Sequence, residues 1–254
     1  MPEMPACVCQ GAAVSVAMAT YNGMRFLDEQ LRSVLDALAP QDELVIVDDA
    51  STDGTWQHLL AIDDPRVSVY RNASNLGVRR SFERVMALTK HDVVFLADQD
   101  DVWERDKRDE MVQLFVRDAR IMVVVSDATV IDDSGRQVLD SFMATRHGFD
   151  GSFGGTLVRN RFLGCAMAVR RRVIDVALPI PASAPMHDMW IGAIGSLLGR
   201  VGYVDRPLLR YRRHGGNVSP STSPSRRQAL SWRIDLLVGV LSRVAARLCN
   251  SLCA

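Results

Sequence analysis

Four short apolar runs, Val14 to Met18, Leu44 to Val47, Val67 to Tyr70 and Val93 to Ala97, alternate with segments whose apolar residues recur every three or four positions. Strand-length runs interleaved with helix-period segments are what a parallel sheet joined by crossover helices requires. After the first run, Leu27, Leu31, Val34, Leu35 and Leu38 make one stripe that stops before Pro40, which predicts an amphipathic helix. Thr55 to Ile62 and Ser81 to Leu88 read as further helices, the second with Phe82, Val85 and Met86 on one face. The strands are nearly all apolar, as expected when helices cover both faces of a sheet. The expected fold class is therefore α/β, with a mostly parallel central sheet and helices on both faces.

Loops after the strands of such a sheet leave one edge, where ligands bind. The polar residues there belong to one candidate site: Ala19-Thr20-Tyr21-Asn22, Asp48-Asp49-Ala50-Ser51-Thr52-Asp53-Gly54, Arg71-Asn72 through Asn75-Leu76-Gly77, and Asp98-Gln99-Asp100-Asp101. The last loop crowds three carboxylates with no basic side chain before Arg105. A hard divalent ion such as Mg²⁺ or Mn²⁺, bound through carboxylates and substrate phosphates, relieves that repulsion. Capping a helix that starts near Trp103 would need only one carboxylate. Asp48 and Asp49 suit a turn and helix start equally well.

The second half is less regular. Ile121 to Val125 reads as a buried strand, Asp132 to Gly135 as a turn, Gly148 to Gly155 as a mobile loop, and Gly164 to Val169 as a strand. A connector with Pro179, Pro181 and Pro185 precedes a helix from about Met186 to Leu198. These features give one domain over residues 1–219 and an appendage over 220–254.

With 48% hydrophobic and 24% charged residues over 254 positions, the chain is neither disordered nor fibrous. Thirty basic residues balance thirty acidic ones, so a general affinity for polyanions such as nucleic acid is not expected. From Arg200 onward, however, ten arginines face only Asp205 and Asp235. The cysteines at 7, 9, 165, 249 and 253 form no zinc-like CxxC pairs, and a reducing cytoplasmic compartment fits them. The opening residues lack a basic and then apolar leader, and no apolar run reaches a membrane span, so a chain that is neither exported nor transmembrane is expected. No GxGxxG follows the first strand, which excludes a Rossmann dehydrogenase. The absence of lysine before Lys90 weighs against a nucleotidyltransferase with a Gly- and Lys-rich phosphate loop.

Six ordered blocks, VSVAMATYNGMRFLDEQLRSVL, ELVIVDDASTDGT, RNASNLGV, VVFLADQDDVW, HDMW and YRRHGGNVS, span about Val14 to Ser219. Together they resemble the family 2 glycosyltransferases of the GT-A fold, particularly bacterial rhamnosyltransferase-like members. The resemblance implies transfer of a sugar, with rhamnose from a dTDP donor as the leading expectation and a UDP-sugar beside it. Inversion at the anomeric carbon and a cell-surface saccharide or lipid-linked acceptor are implied too. Carried over by residue, Thr20 and Tyr21 match the first nucleotide-pocket block. Asp48 or Asp49 would accept a hydrogen bond from the base, and Arg71 and Asn75 would line the nucleoside pocket. Asp98 would face the ribose or sugar and Asp100 the metal, with Asp101 behind them. Asp188 matches the catalytic base, although His187 stands where many members have Glu. His214 lies in the block where the family contacts metal or diphosphate, and a solvated basic loop is the competing reading. Cys165 falls near the acceptor pocket or is simply a buried thiol. His58, His91 and His147 read as surface residues. A catalytically silent subunit that binds sugar nucleotide is the alternative function.

Leu230, Ile234, Leu237, Leu241, Val244 and Leu248 are spaced four, three, four, three and four, one stripe of a helix flanked by Arg233, Arg243 and Arg247. Such a helix lies on an anionic bilayer, docks on its own domain, or pairs with a second copy. The first of these would place the protein peripherally at the cytoplasmic face of the inner membrane.

Overall fold

The computed structural model describes residues 12–217 and 226–252. Cys7, Cys9, Cys253 and the expected boundary after Ser219 lie outside those residues, as do the side chains of Arg247, Leu248 and Cys249. The alternation in the first half becomes β1 (Val14–Thr20), α1 (Met24–Ala37), β2 (Glu43–Asp48), α2 (Thr55–Leu60), β3 (Val67–Arg71), α3 (Val78–Leu88) and β4 (Val93–Ala97). These strands pair in parallel in the order β3-β2-β1-β4. Every residue of β2 and β4 is buried. Successive side chains of a strand point to opposite faces, so both faces of the sheet are covered.

The registers align the strand ends. Thr20 pairs with Asp48, Asp48 with Arg71, and Met18 with Ala97. The four polar loops therefore leave one edge of the sheet at about the same level.

The chain continues through β5 (Val102–Trp103), α4 (Lys107–Arg117), β6 (Ile121–Ile131), β7 (Gln137–Leu139), α5 (Phe153–Val158), β8 (Met167–Arg170), α6 (Arg171–Ala177), α7 (His187–Leu198), β9 (Arg200–Arg212) and α8 (Arg226–Leu252). β8 runs antiparallel between β4 and β6, while β6 and β9 pair in parallel over the longest ladder of the sheet. The sheet is thus mixed, with its parallel pairs carrying most of the length. β5 pairs with the end of β9, which brings the segment after Tyr211 beside the acidic loop. α8 packs on α5, α6 and α7. Among the described residues, no helix is long and apolar enough to cross a membrane.

Three local expectations are corrected. Trp103 does not open a helix: Val102 and Trp103 pair with Arg210 and Leu209, and the helix begins at Lys107. Strand pairing with a distant segment overrides the local capping pattern there. Gly148 to Gly155 is not simply a loop, because its end enters α5, where the Ser152 hydroxyl caps by accepting the Gly155 N–H (3.0 Å). Phe149 anchors the same stretch by stacking on Tyr203 with ring centroids 4.8 Å apart. Gly164–Ala166 forms a single 3₁₀ turn, so the strand starts only at Met167.

A buried ion pair ties the start of β1 to α4. Arg108 Nε and Nη2 lie 2.9 and 3.1 Å from the Asp42 carboxylate, which also accepts the N–H groups of Val14 (2.9 Å) and Ala39 (2.7 Å). Removing Asp42 breaks this buried pair, leaving Arg108 with the exposed Asp109 at 2.7 Å and the N–H groups of Val14 and Ala39 without their acceptor. Asp42→Ala is expected to destabilise the fold by about 3–5 kcal/mol, measured by urea unfolding.

Candidate active site

A cleft of about 350 Å³ opens at the aligned strand ends. Thr20, Tyr21, Asp49, Asn75, Asp98 and Asp100 line it from the loops after β1 to β4, and Asp188 lines it from the first turn of α7. Asp100 and Asp188, distant in sequence, therefore face one cavity.

The Asp48-Asp49 pair divides its work. Asp48 is fully buried, accepts the Ser51 N–H (3.1 Å) and the Thr20 hydroxyl (3.4 Å), and lies 3.2 Å from Arg71 Nε. Arg71 also donates to the Ser51 carbonyl (2.8 Å). Neither Asp48 nor Arg71 lines the cleft; they fasten the ends of β1, β2 and β3 behind it. Asp49 does line it, and accepts the Asn72 amide (2.7 Å) and the N–H groups of Leu76 and Gly77 (both 2.8 Å). Those bonds curl the Asn75 loop over the cavity.

Two supporting residues were not singled out in the sequence. Gln99 holds Tyr21 by both ends of its amide, accepting the Tyr21 N–H (2.8 Å) and donating to the Tyr21 carbonyl (3.0 Å). Gln30, fully buried, donates to the Asp98 carbonyl (2.7 Å). The signal for Gln99 was its place inside the acidic tetrad. For Gln30 it was a polar residue bordering the apolar stripe of α1.

The tetrad is electrostatically loaded. Burial, followed by the charges of Asp101, Asp100 and Asp188, holds the Asp98 carboxyl well above the usual carboxylate range. Asp101 is pushed up to about 7 by burial and by Asp100, and one of its oxygens accepts the Arg212 N–H (2.9 Å). Below them, the fully buried Lys107 ammonium donates to the Cys165 carbonyl (2.6 Å) and lies 4.2 Å from the Trp103 ring centroid. Burial brings Lys107 down to about 8, against the pull of Asp101 and Asp98. Asp98, Asp101 and Cys165 place ligand atoms within 4.8 Å of one another. Burial raises the Cys165 thiol well above its usual range, and the other donors of the trio are carboxylate oxygens. Hard oxygens that repel one another in a closed space fit Mg²⁺ or Mn²⁺. Asp100 stands outside that trio but lines the cleft beside Asp98, and these two would hold the ion.

His214 reaches this cluster from beyond β9. Its Nε2 is 2.7 Å from Asp100 Oδ2, while its Nδ1 accepts the Gly216 N–H (3.1 Å). A neutral ring that accepts at Nδ1 carries its proton on Nε2, so His214 donates to Asp100 in this arrangement. It orients that carboxylate instead of offering a lone pair to a cation.

Across the cleft, burial raises Asp188 to about 6, although the N–H groups of Met189 and Gly164 and the Asn160 side chain favour its charged form. Its neighbour His187 is 5% exposed and stacks on Phe82, with ring centroids 4.1 Å apart. Among the described residues, neither ring nitrogen of His187 has a hydrogen-bond partner. Burial lowers it to about 4, so it is neutral near pH 7.

The model of Glycosyl transferase family 2 matches residues 15–177, well over half of the chain. The chain belongs to that family. Among the curated relatives of this glycosyltransferase, the putative teichuronic acid biosynthesis glycosyltransferase TuaG of Bacillus subtilis is 26% identical, covering 71% of this chain and 71% of its own. The dTDP-rhamnosyl transferase RfbG of Shigella flexneri is 25% identical over 79% of this chain and 72% of its own. The crystal structure of S. aureus TarS in complex with UDP-GlcNAc superposes with a TM-score of 0.66 at 19% identity, covering 91% of this chain and 72% of TarS 1-349. In the complex with UDP the TM-score is 0.63, and the match covers 79% of this chain and 60% of that one. At that identity the likeness establishes the GT-A-type α/β fold alone. The family match ends at residue 177, so Asp188 and His214 of this glycosyltransferase enter the site through geometry.

Proposed function

We propose that this glycosyltransferase moves a sugar from a nucleoside diphosphate donor to a hydroxyl of a saccharide or lipid-linked saccharide, with inversion at the anomeric carbon. The observation that carries this reading is that Asp188 faces Asp98 and Asp100 inside one cleft. Thr20, Tyr21, Asp49 and Asn75 form its nucleoside end, with Asp48 and Arg71 bracing it from behind. Asp98 and Asp100 take the diphosphate end, and His214 keeps Asp100 aimed. Mg²⁺ or Mn²⁺ bound there would neutralise charge on the departing diphosphate.

Asp188 is the base. An acceptor hydroxyl oxygen attacks the anomeric carbon, the bond from that carbon to the diphosphate oxygen breaks, and the hydroxyl proton passes to Asp188. One displacement from the face opposite the leaving group inverts the centre. The neutral His187 ring, buried against Phe82, backs the turn that carries Asp188.

The names of the relatives favour two donor classes, dTDP-rhamnose and UDP-sugars. Purified protein incubated with a panel of both, with Mn²⁺ or Mg²⁺, is expected to hydrolyse one donor slowly and to be protected by it against melting. No response to any donor with either ion would favour the silent subunit. A Cβ at Gly23 would lie 2.3 Å from Gln99 Oε1. Gly23→Ala therefore displaces the amide that holds Tyr21, and the donor KM is expected to rise about five- to tenfold through two lost hydrogen bonds.

A further inference from the structure

α8 is apolar around more of its circumference than its own domain covers. Leu236 and Val240 are fully buried, and a Cβ at Gly239 would lie 3.0 Å from the Trp190 ring, so the helix sits close on α7. Arg233 donates to the Val158 carbonyl (2.8 Å), and Arg243 to the carbonyls of Leu178 and Pro179 (2.8 and 2.9 Å). The sector facing away carries Leu230, Ile234, Leu237, Val238 and Leu241, each between 36% and 61% exposed. At the helical repeat these five share one arc of about 100°. Val158, 71% exposed at the end of α5, adjoins them through its bond to Arg233. An apolar face of this extent marks an interaction surface.

Charge selects the occupant. In β9, Arg200, Arg206, Arg210 and Arg212 pair with Asp118, Asp106, Glu104 and Glu29. Among the described residues, the exposed Arg227 and Arg233 of α8 have no carboxylate partner, and Asp235 is the only acidic residue in the sequence between 226 and 252. The seam Leu230, Ile234, Leu237, Leu241 has coiled-coil spacing, but the positions flanking it hold Arg233 and Arg247 and no acid. A second copy would meet that arginine with arginine, whereas anionic headgroups would neutralise it. We propose that α8, with Val158, is a docking surface for an anionic phospholipid bilayer, its outward residues entering the acyl boundary and the exposed Arg227 and Arg233 taking headgroup phosphates. Val158 is two residues before Asn160, whose side chain bonds Asp188, so the docked face adjoins the segment that supports the base.

The test is sedimentation of the full chain with vesicles of phosphatidylcholine, alone or mixed with phosphatidylglycerol. Binding is expected to be at least about tenfold stronger to the anionic vesicles and to fall with added salt. Ile234→Asp combined with Leu241→Asp should weaken it by more than about tenfold with Tm unchanged, since both side chains face water in the free protein. Leu230→Gln combined with Val238→Gln is the milder second variant, expected to weaken binding in the same direction. Failure of the wild-type chain to bind either vesicle, or equal binding by wild type and both double variants, would overturn the proposal. So would a dimer in lipid-free ultracentrifugation that the first double variant dissolves. Donor hydrolysis in vesicle-free solution should be unchanged in both variants, which separates this surface from the transfer reaction.

Discussion

Asp188→Asn is expected to lower transfer turnover by about 10²–10⁴-fold, the usual contribution of a positioned general base, while donor binding persists. The amide has the shape of the carboxylate but cannot take the acceptor proton. Its fold should survive with Tm unchanged or raised, because the substitution removes a buried carboxylate whose charged form burial disfavours. The same environment sets the pH profile. With Asp188 raised to about 6, the base is ionised at pH 7.5 and becomes protonated as pH falls through about 6. Turnover of the wild-type enzyme should therefore fall tenfold per pH unit below that point, and the limb should vanish from the residual activity of Asp188→Asn. Stopped or coupled assays of diphosphate release across pH 5–8 check both parts.

The second large effect belongs to the other wall. Asp98→Asn and Asp100→Asn should each lower turnover by at least about 100-fold, the scale of several kcal/mol of charge stabilisation on a leaving diphosphate. Unlike Asp188→Asn, they should also remove the part of donor affinity that responds to Mg²⁺ or Mn²⁺. Chelation by EDTA should reproduce their loss in the wild-type enzyme, and added Mn²⁺ should restore it. Equal donor affinity with and without the ion in all three proteins would take Asp98 and Asp100 out of this role.

The first half was legible because each element announces itself locally. Strands such as VVFLA are buried on both faces, helices such as α1 carry one apolar stripe, and the polar residues between them fall at one edge of the sheet. The second half was harder because its elements are chosen by distant partners. β5 has two residues and exists only as a pairing with β9; β7 is exposed along its length and held by β6. α4 is cut off from the tetrad by that strand.

At the site, residue types pointed to the crowded Asp98 loop, which lines the cleft, but spacing does not say which way a side chain turns. Asp48 and Asp49 look alike in sequence, yet one points into the protein with Arg71 and the other toward the cleft. His214 could be placed near the acidic loop by resemblance, whereas its tautomer follows only from the Gly216 N–H on Nδ1. In α8 the seven-residue spacing drew attention to Leu230, Ile234, Leu237 and Leu241, but the domain is gripped by Leu236 and Val240 instead. A stripe read from periodicity gives a face, not its occupant.

In the proposed mechanism two carboxylates grip the donor's diphosphate through a cation while a third, across the sugar, accepts a proton. Thermal protection by the preferred donor, measured with and without Mn²⁺ in wild type, Asp100→Asn and Asp188→Asn, tests it most directly. The expected pattern is ion-dependent protection in wild type and Asp188→Asn, its loss in Asp100→Asn, and turnover in the wild type alone. Full turnover by Asp188→Asn, or undiminished ion-dependent protection of Asp100→Asn, would contradict it.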